Sequence, residues 1–324
     1  MREAGVRRPR ASCGGLTTGP CRREPADPGT GSAVLDPSMS TQPRVLLQTT
    51  IAFDADDWHI GRFSMLATEI ARWANVTARN HEPYGSGDDP VLASLDREQF
   101  DELWILAVDG GQAMTVREIA AINRFLRDGG GVLTARDHCN MGLWLRAIEG
   151  VGAANYFHDP SCWDPDPSRR ARDDAETSTI DWPNYHSGRN GEVEPIAIVE
   201  PVHELLRNPR AASGHIERLP AHPHEGDVGV PANEPRARSI ARRRSSVTGL
   251  EFDLAVAFER TEHAPGRAIA ESSFHHFADY NWDTSRGAPS FVTEPASDAT
   301  RRDPHLLDDA RLYIENCVAW LAPA

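Results

Sequence analysis

From Arg44 to Ala135 the apolar residues come in short blocks with helical spacing between them. RVLLQTT (44–50), behind Pro43, is a compact apolar run and reads as a buried strand. Ile60, Phe63, Leu66, Ala67, Ile70 and Trp73 then recur at helical intervals and predict a helix over 60–74. NVTA (75–78) reads as a second strand. ELWILAV (102–108) is a third, broken by Asp109-Gly110-Gly111. Thr115 with Glu118 three residues on has the form of a capping box, opening a helix that runs to about Asp128 and stops at glycines 129–131. Residues 132–135 are the next strand. This alternation implies a parallel sheet covered on both faces.

Beyond this block the rhythm changes. Residues 155–192 hold Trp163 and Trp182, many Asp and Pro, and little periodicity. So long a loop is uncommon inside a compact domain, and its aromatics favour an ordered lid. Residues 194–199 read as a strand and 202–207 as a short helix. Three further strands are expected over 237–241, 252–259 and 267–273. In the second, Phe252, Leu254, Val256 and Phe258 alternate with Asp253, Ala255 and Ala257, the pattern of a half-buried strand. An amphipathic helix over 304–321 closes the chain. The expected fold class is therefore α/β: a mostly parallel, doubly wound, flavodoxin-like sheet with antiparallel C-terminal strands.

Residues 1–43 are rich in Gly, Pro, Ser, Thr and Arg and show no period, which reads as a disordered tail. A transit peptide is the functional alternative, and Met39 is an alternative start. Residues 44–324 then form a single domain carrying the 155–192 insertion. All 34 basic residues are Arg, against 48 acidic ones, for a net charge of −14. Without lysine there is no Schiff-base chemistry and no Walker-type phosphate loop. The acidity argues against nucleic-acid binding, and no apolar run approaches the roughly 18 residues of a membrane span. Five widely spaced cysteines form neither a disulfide framework nor a CxxC zinc motif, which fits a reducing cytoplasm. The expected partner is a small molecule. No organic cofactor is predicted, and the sequence is compatible with a homo-oligomer.

Ligands of open parallel sheets collect at the carboxyl ends of strands. Two such ends are dense in polar groups: Arg136-Asp137-His138-Cys139-Asn140, and Ser272 to Asp283 with His275, His276 and Asp279. His138, His275 and His276 read either as acid–base groups or metal ligands, or as hydrogen-bonded structural histidines. Adjacent residues on a strand face opposite ways, so only one of His275 and His276 is expected to face a cleft. Asp137 or Asp279 is the expected orienting carboxylate. His222-Pro223-His224 is a separate H-x-H pair, both imidazoles on one side of an extended chain, and admits a divalent metal. Trp182, Asn184, Tyr185 and His186 combine aromatic and planar polar groups, as a sugar-binding surface would. They read equally as packing of the long loop. Arg242-Arg243-Arg244 reads as a solvated turn.

The strand–helix start at RVLLQTT, ELWILAVDGG before a helix ending in GGG, GRAIAESSFHH ending in His, and the closing helix with CVAWLA together resemble the class I glutamine-amidotransferase-like superfamily, and within it the ThuA-like (trehalose-utilisation-like) branch. The resemblance covers residues 44–150 and 194–321 and implies an amidotransferase-like α/β fold. In amidotransferase members it also implies a Cys nucleophile at a strand-to-helix elbow and a His after a late strand. His275 falls on the His position. The elbow falls on Arg136 or Asp137, so Cys139 would act only from the N-terminus of a helix over 139–147. ThuA-like members share the fold without the Cys triad. The resulting expectation is a ThuA-like protein that binds or acts on a small, sugar-like metabolite through a His/Asp cleft beneath the 155–192 segment. The rivals are a Cys139/His275 hydrolase or amidotransferase and a non-catalytic metabolite-binding module.

Overall fold

Strand β1 (Arg44–Thr49) sits between β2 (Asn75–Arg79) and β3 (Glu102–Leu106), parallel to both. The computed structural model describes residues 42–85, 87–173, 177 and 179–323. The expected tail, with Met39, lies outside these apart from its last two residues. Beyond β3 the sheet continues in parallel through β4 (Gly131–Ala135) to β12 (Ala268–Glu271). It then turns antiparallel through β11 (Glu251–Phe258), β10 (Ala237–Arg244) and β7 (Ala197–Ile198). Strand β9 (Asp227–Val228) pairs antiparallel with β11 and with β5 (Asn155–Tyr156). A separate ribbon joins β6 (Val193–Pro195) and β8 (Arg218–Pro220).

The unbroken apolar runs have a simple cause: successive side chains enter opposite cores. Val45, Leu47, Trp104 and Leu106 join the core under α1 (Ser64–Ile70) and α6 (Asp308–Leu321). Leu46, Leu103, Ile105 and Val132 join the core under α3 (Val116–Arg127), which also holds Ile122 and Phe125. Helices α2 (Pro90–Ala93), α4 (Asp279–Trp282) and α5 (Ala299–Arg302) are each about one turn long. The α3 capping box is present in both directions: the Glu118 amide donates to Thr115 Oγ1 and the Thr115 amide to Glu118 Oε2. No helix among the described residues is long and apolar enough to cross a membrane.

Several local expectations are corrected. The 60–74 helix is a 3-10 turn (Ile60–Phe63) followed by α1, and Trp73 beyond it is 40% exposed. The α1 N-terminus is held from outside, by Asp279. Residues 139–147 are not one α-helix; only Leu143–Ala147 are helical, and they are 3-10. The 202–207 helix is reduced to a 3-10 turn, Glu204–Leu206. The 194–199 strand divides into β6 and β7, which pair with different partners. Strand β11 is buried on both faces rather than half-buried: Ala255 and Ala257 join one core, and Val256 and Phe258 join the other. Arg242–Arg244 are not a turn but the end of β10. Arg243 there is buried and donates to the carbonyls of Pro220 and Glu194.

Candidate functional site

Strands β4 and β12 are parallel neighbours, with Ala135 opposite Glu271, so the segments leaving their carboxyl ends emerge side by side. Asp137 leaves β4 and His275 leaves β12. Ser273 ties them together: its Oγ accepts from the His275 amide (3.1 Å) and donates to Asp137 Oδ1 (3.2 Å). His275 is on a 3-10 turn (Phe274–Phe277), not on the strand. Its ring lies against Phe274 and meets Trp58 edge-on at 4.6 Å.

The third contribution comes from the loop between β8 and β9. There the His222 amide donates to Ser187 Oγ (2.9 Å), and its ring Nδ1 lies 2.8 Å from Asn190 Oδ1. That leaves Nε2 directed at Asp137. His222 and His275 stack with ring centroids 3.5 Å apart. Each Nε2 is 3.6 Å from Asp137 Oδ2. His138 Nδ1 lies 2.9 Å from the same oxygen, and the His138 ring is 5.3 Å from that of His224. His224 in turn pairs with Glu294. The two constellations that looked separate along the chain are one.

These groups line a cavity of about 360 Å³ together with Trp58, Val108, Met141, Thr177, Thr179, Ile180, Phe274, Phe291 and Val292. Thr177, Thr179 and Ile180 belong to the long middle segment, which therefore forms one wall. Burial drives His222 and His275 well below the ordinary imidazole range, helped by repulsion from His224 and from His222 respectively. Burial opposes ionisation of Asp137, but attraction to His138 and the hydrogen bond from it outweigh burial, and its pKa falls. Glu294 is lowered to about 2: its bonds to His224 and Thr177 overcome its burial. The cavity thus combines a buried carboxylate with two neutral imidazoles. Asp137, His222 and His275 can present three ligand atoms, all within 4.8 Å of one another, to a metal ion.

Other sequence-derived candidates lie elsewhere. His276 turns away from the cavity to Glu225 (2.9 Å), and attraction to Glu225 and Glu271 outweighs burial to raise it to about 9. Asp279 accepts from Ser64 Oγ and the Met65 amide at the start of α1, and orients no histidine. Cys139 has φ 48° and directs its thiol to the Asp181 carbonyl (2.9 Å) rather than into the cavity. Burial raises its pKa. Trp182, Asn184 and Tyr185 are buried: Tyr185 stacks on Phe252 at 4.7 Å, and His186 Nδ1 meets Ser246 Oγ. None of these four lines the cavity. Sequence reasoning missed Trp58, Asn190 and Glu294. No motif marks them; each arrives from a loop whose path depends on the folded sheet.

No family model and no curated protein sequence matches the chain. Its fold is similar to that of several solved structures. One is a putative ThuA-like protein from Bacteroides uniformis (10% identity, TM-score 0.42, covering 89% of this chain and 94% of that one). Another is the glutaminase domain of Trypanosoma brucei CTPS with bound acivicin (12%, 0.42, 87% and 98%). A third is the mmIFT52 N-terminal domain (11%, 0.44, 73% and 88%). At such identities and TM-scores the likeness is one of overall chain path and assigns no role to any side chain.

Proposed function

We propose that the cavity binds a small polar, sugar-like metabolite and acts on it by acid–base chemistry centred on His275. The observation that carries this reading is convergence: Asp137, His138, His222, His224 and His275, from three separate segments, line one cavity at the carboxyl edge of a parallel sheet. Its volume of about 360 Å³ lies within the roughly 300–1,000 Å³ of small-molecule sites. Its walls offer carboxylate, imidazole and Thr hydroxyl groups for a polyol's oxygens, and Trp58, Phe274 and Phe291 for its C–H faces. A neutral His275 beside an ionised Asp137 has the protonation needed of a base at neutral pH. His138, the more exposed imidazole, is suited to pass the proton to water.

Calorimetric titration of the full chain with a panel of monosaccharides, disaccharides, polyols and sugar acids, with product analysis of each mixture, tests this. Saturable binding or turnover by one member, lost in His275→Gln, is expected. A panel without a binder, or a binder indifferent to His275→Gln, overturns it. A binder without product favours the metabolite-binding module over the enzyme. The Cys139 hydrolase is disfavoured by the thiol's bond to Asp181 and its raised pKa.

A further inference from the structure

We propose that Asp137, His222 and His275 form a mononuclear site for a divalent first-row transition ion, zinc being the probe of choice. This deepens the cavity reading above and rests on it for the site's purpose. With an ion bound, His275 Nε2 is a ligand and His138 is the proton acceptor, whereas the metal-free site keeps His275 as the base.

The first argument is one of distance. The two Nε2 atoms stand 3.6 Å from Asp137 Oδ2, beyond the roughly 2.7–3.2 Å of a hydrogen bond. Ligand atoms about 2.0–2.2 Å from a tetrahedral zinc are separated by about 3.3–3.6 Å. The spacing is too long for a bond and matches that of ligands to one ion, which the stacked rings, 12° from parallel, would reach by a tilt of one imidazole.

The second argument is one of donor and acceptor. His222 Nδ1 sits 2.8 Å from the amide oxygen of Asn190, so that nitrogen carries the proton. The other nitrogen, Nε2, then presents a bare lone pair. It is buried, makes no hydrogen bond, and faces a carboxylate oxygen. Two acceptors facing each other in a buried site repel unless a cation lies between them. Asn190 to His222 is also the outer bond that holds a ligating imidazole in its tautomer, and Ser273 and His138 hold Asp137 in the same way.

Two histidines and one carboxylate match sites that leave a coordination position open for water or substrate. Here that position would face the cavity. A bound metabolite could then reach the ion through a hydroxyl or carbonyl oxygen.

The test uses the full chain, stripped with a chelator and titrated with Co²⁺ and, separately, Zn²⁺. One equivalent of Co²⁺ should produce a visible d–d absorption that one equivalent of Zn²⁺ abolishes. His222→Ala and Asp137→Asn should remove the band. Asn190→Ala should keep it but weaken affinity about 10–100-fold, which separates a positioning effect from unfolding. Cys139→Ser should leave it unchanged. Absence of a stoichiometric band in the wild type, or a band that survives His222→Ala and Asp137→Asn, overturns the site. The chain, both metal-free and loaded with Zn²⁺, is then offered the metabolite panel. Metabolite binding without any metal binding sinks the metal site and leaves the cavity reading. Metal binding with a silent panel supports the site and sinks that reading.

Discussion

The imidazoles of His222 and His275 lie face to face, with ring planes 12° from parallel, and both direct Nε2 at the same oxygen of Asp137. Two imidazolium ions would repel strongly at this range. The stack is stable because burial keeps both rings neutral. Neutral rings can accept a proton or ligate a cation, and Asp137 supplies the balancing charge. If His275 is the general base, His275→Gln should lower turnover about 10²–10⁴-fold while leaving the far-UV spectrum of the fold intact. Initial rates on the substrate identified by the panel check this; a smaller loss would move the base to His138.

Cys139 separates this account from the thiol-based one. Its sulfur donates to the Asp181 carbonyl, and burial raises its pKa. Iodoacetamide at pH 7 should label it more slowly than a free thiol, read by peptide mass spectrometry. Cys139→Ser should retain metabolite binding. Rapid labelling that abolishes binding would restore the Cys reading.

Arg243 is the buried cation of a second network. It donates to the carbonyls of Pro220 and Glu194 and lies 3.7 Å from Glu225, which also receives His276 and Ser272. Removing it leaves Glu225 short of compensating charge and several carbonyls short of donors. Arg243→Met should destabilise the fold by about 3–5 kcal/mol in urea unfolding. Arg242→Ala next to it, partly exposed and paired with Asp253, should cost about 1 kcal/mol or less.

Glu102 gives a pH dependence of definite sign. Burial raises its carboxyl from 4.5 to about 8, its bond from Trp104 notwithstanding. The unfolded chain releases this proton well below the folded one. The folded state therefore binds more protons in between, and stability falls as pH rises through that window. Glu102→Gln removes the effect. Its stability relative to wild type should rise by about 3–4 kcal/mol between pH 5 and pH 8, measured by urea unfolding at each pH. A constant difference would mean that the folded protein holds Glu102 ionised.

What could be read from the chain follows from how local each signal is. ELWILAV and the Thr115–Glu118 box announce β3 and α3 because their causes lie within a few residues. The carboxyl ends carrying Asp137 and His275 were legible for the same reason. The partnership of His222 with them was not, since an H-x-H pair carries no record of the sheet that brings a third ligand to it. Trp182 and Tyr185 illustrate the opposite error: composition cannot separate an aromatic that faces a ligand from one that stacks on Phe252. Arg243 misled likewise, because a buried guanidinium satisfied by five carbonyl and hydroxyl partners reads, residue by residue, as a solvated charge.

The claim that the Asp137–His275 cavity is the working centre is tested most directly by a crystal structure of the full chain with the tightest-binding member of the metabolite panel. The expected result is that compound held between His138 and His275, with Thr177 and Trp58 on its flanks. The compound seated instead in the cleft of about 490 Å³ lined by Glu69, Arg72, Asp309 and Glu315, with the histidine cavity unchanged, would contradict it.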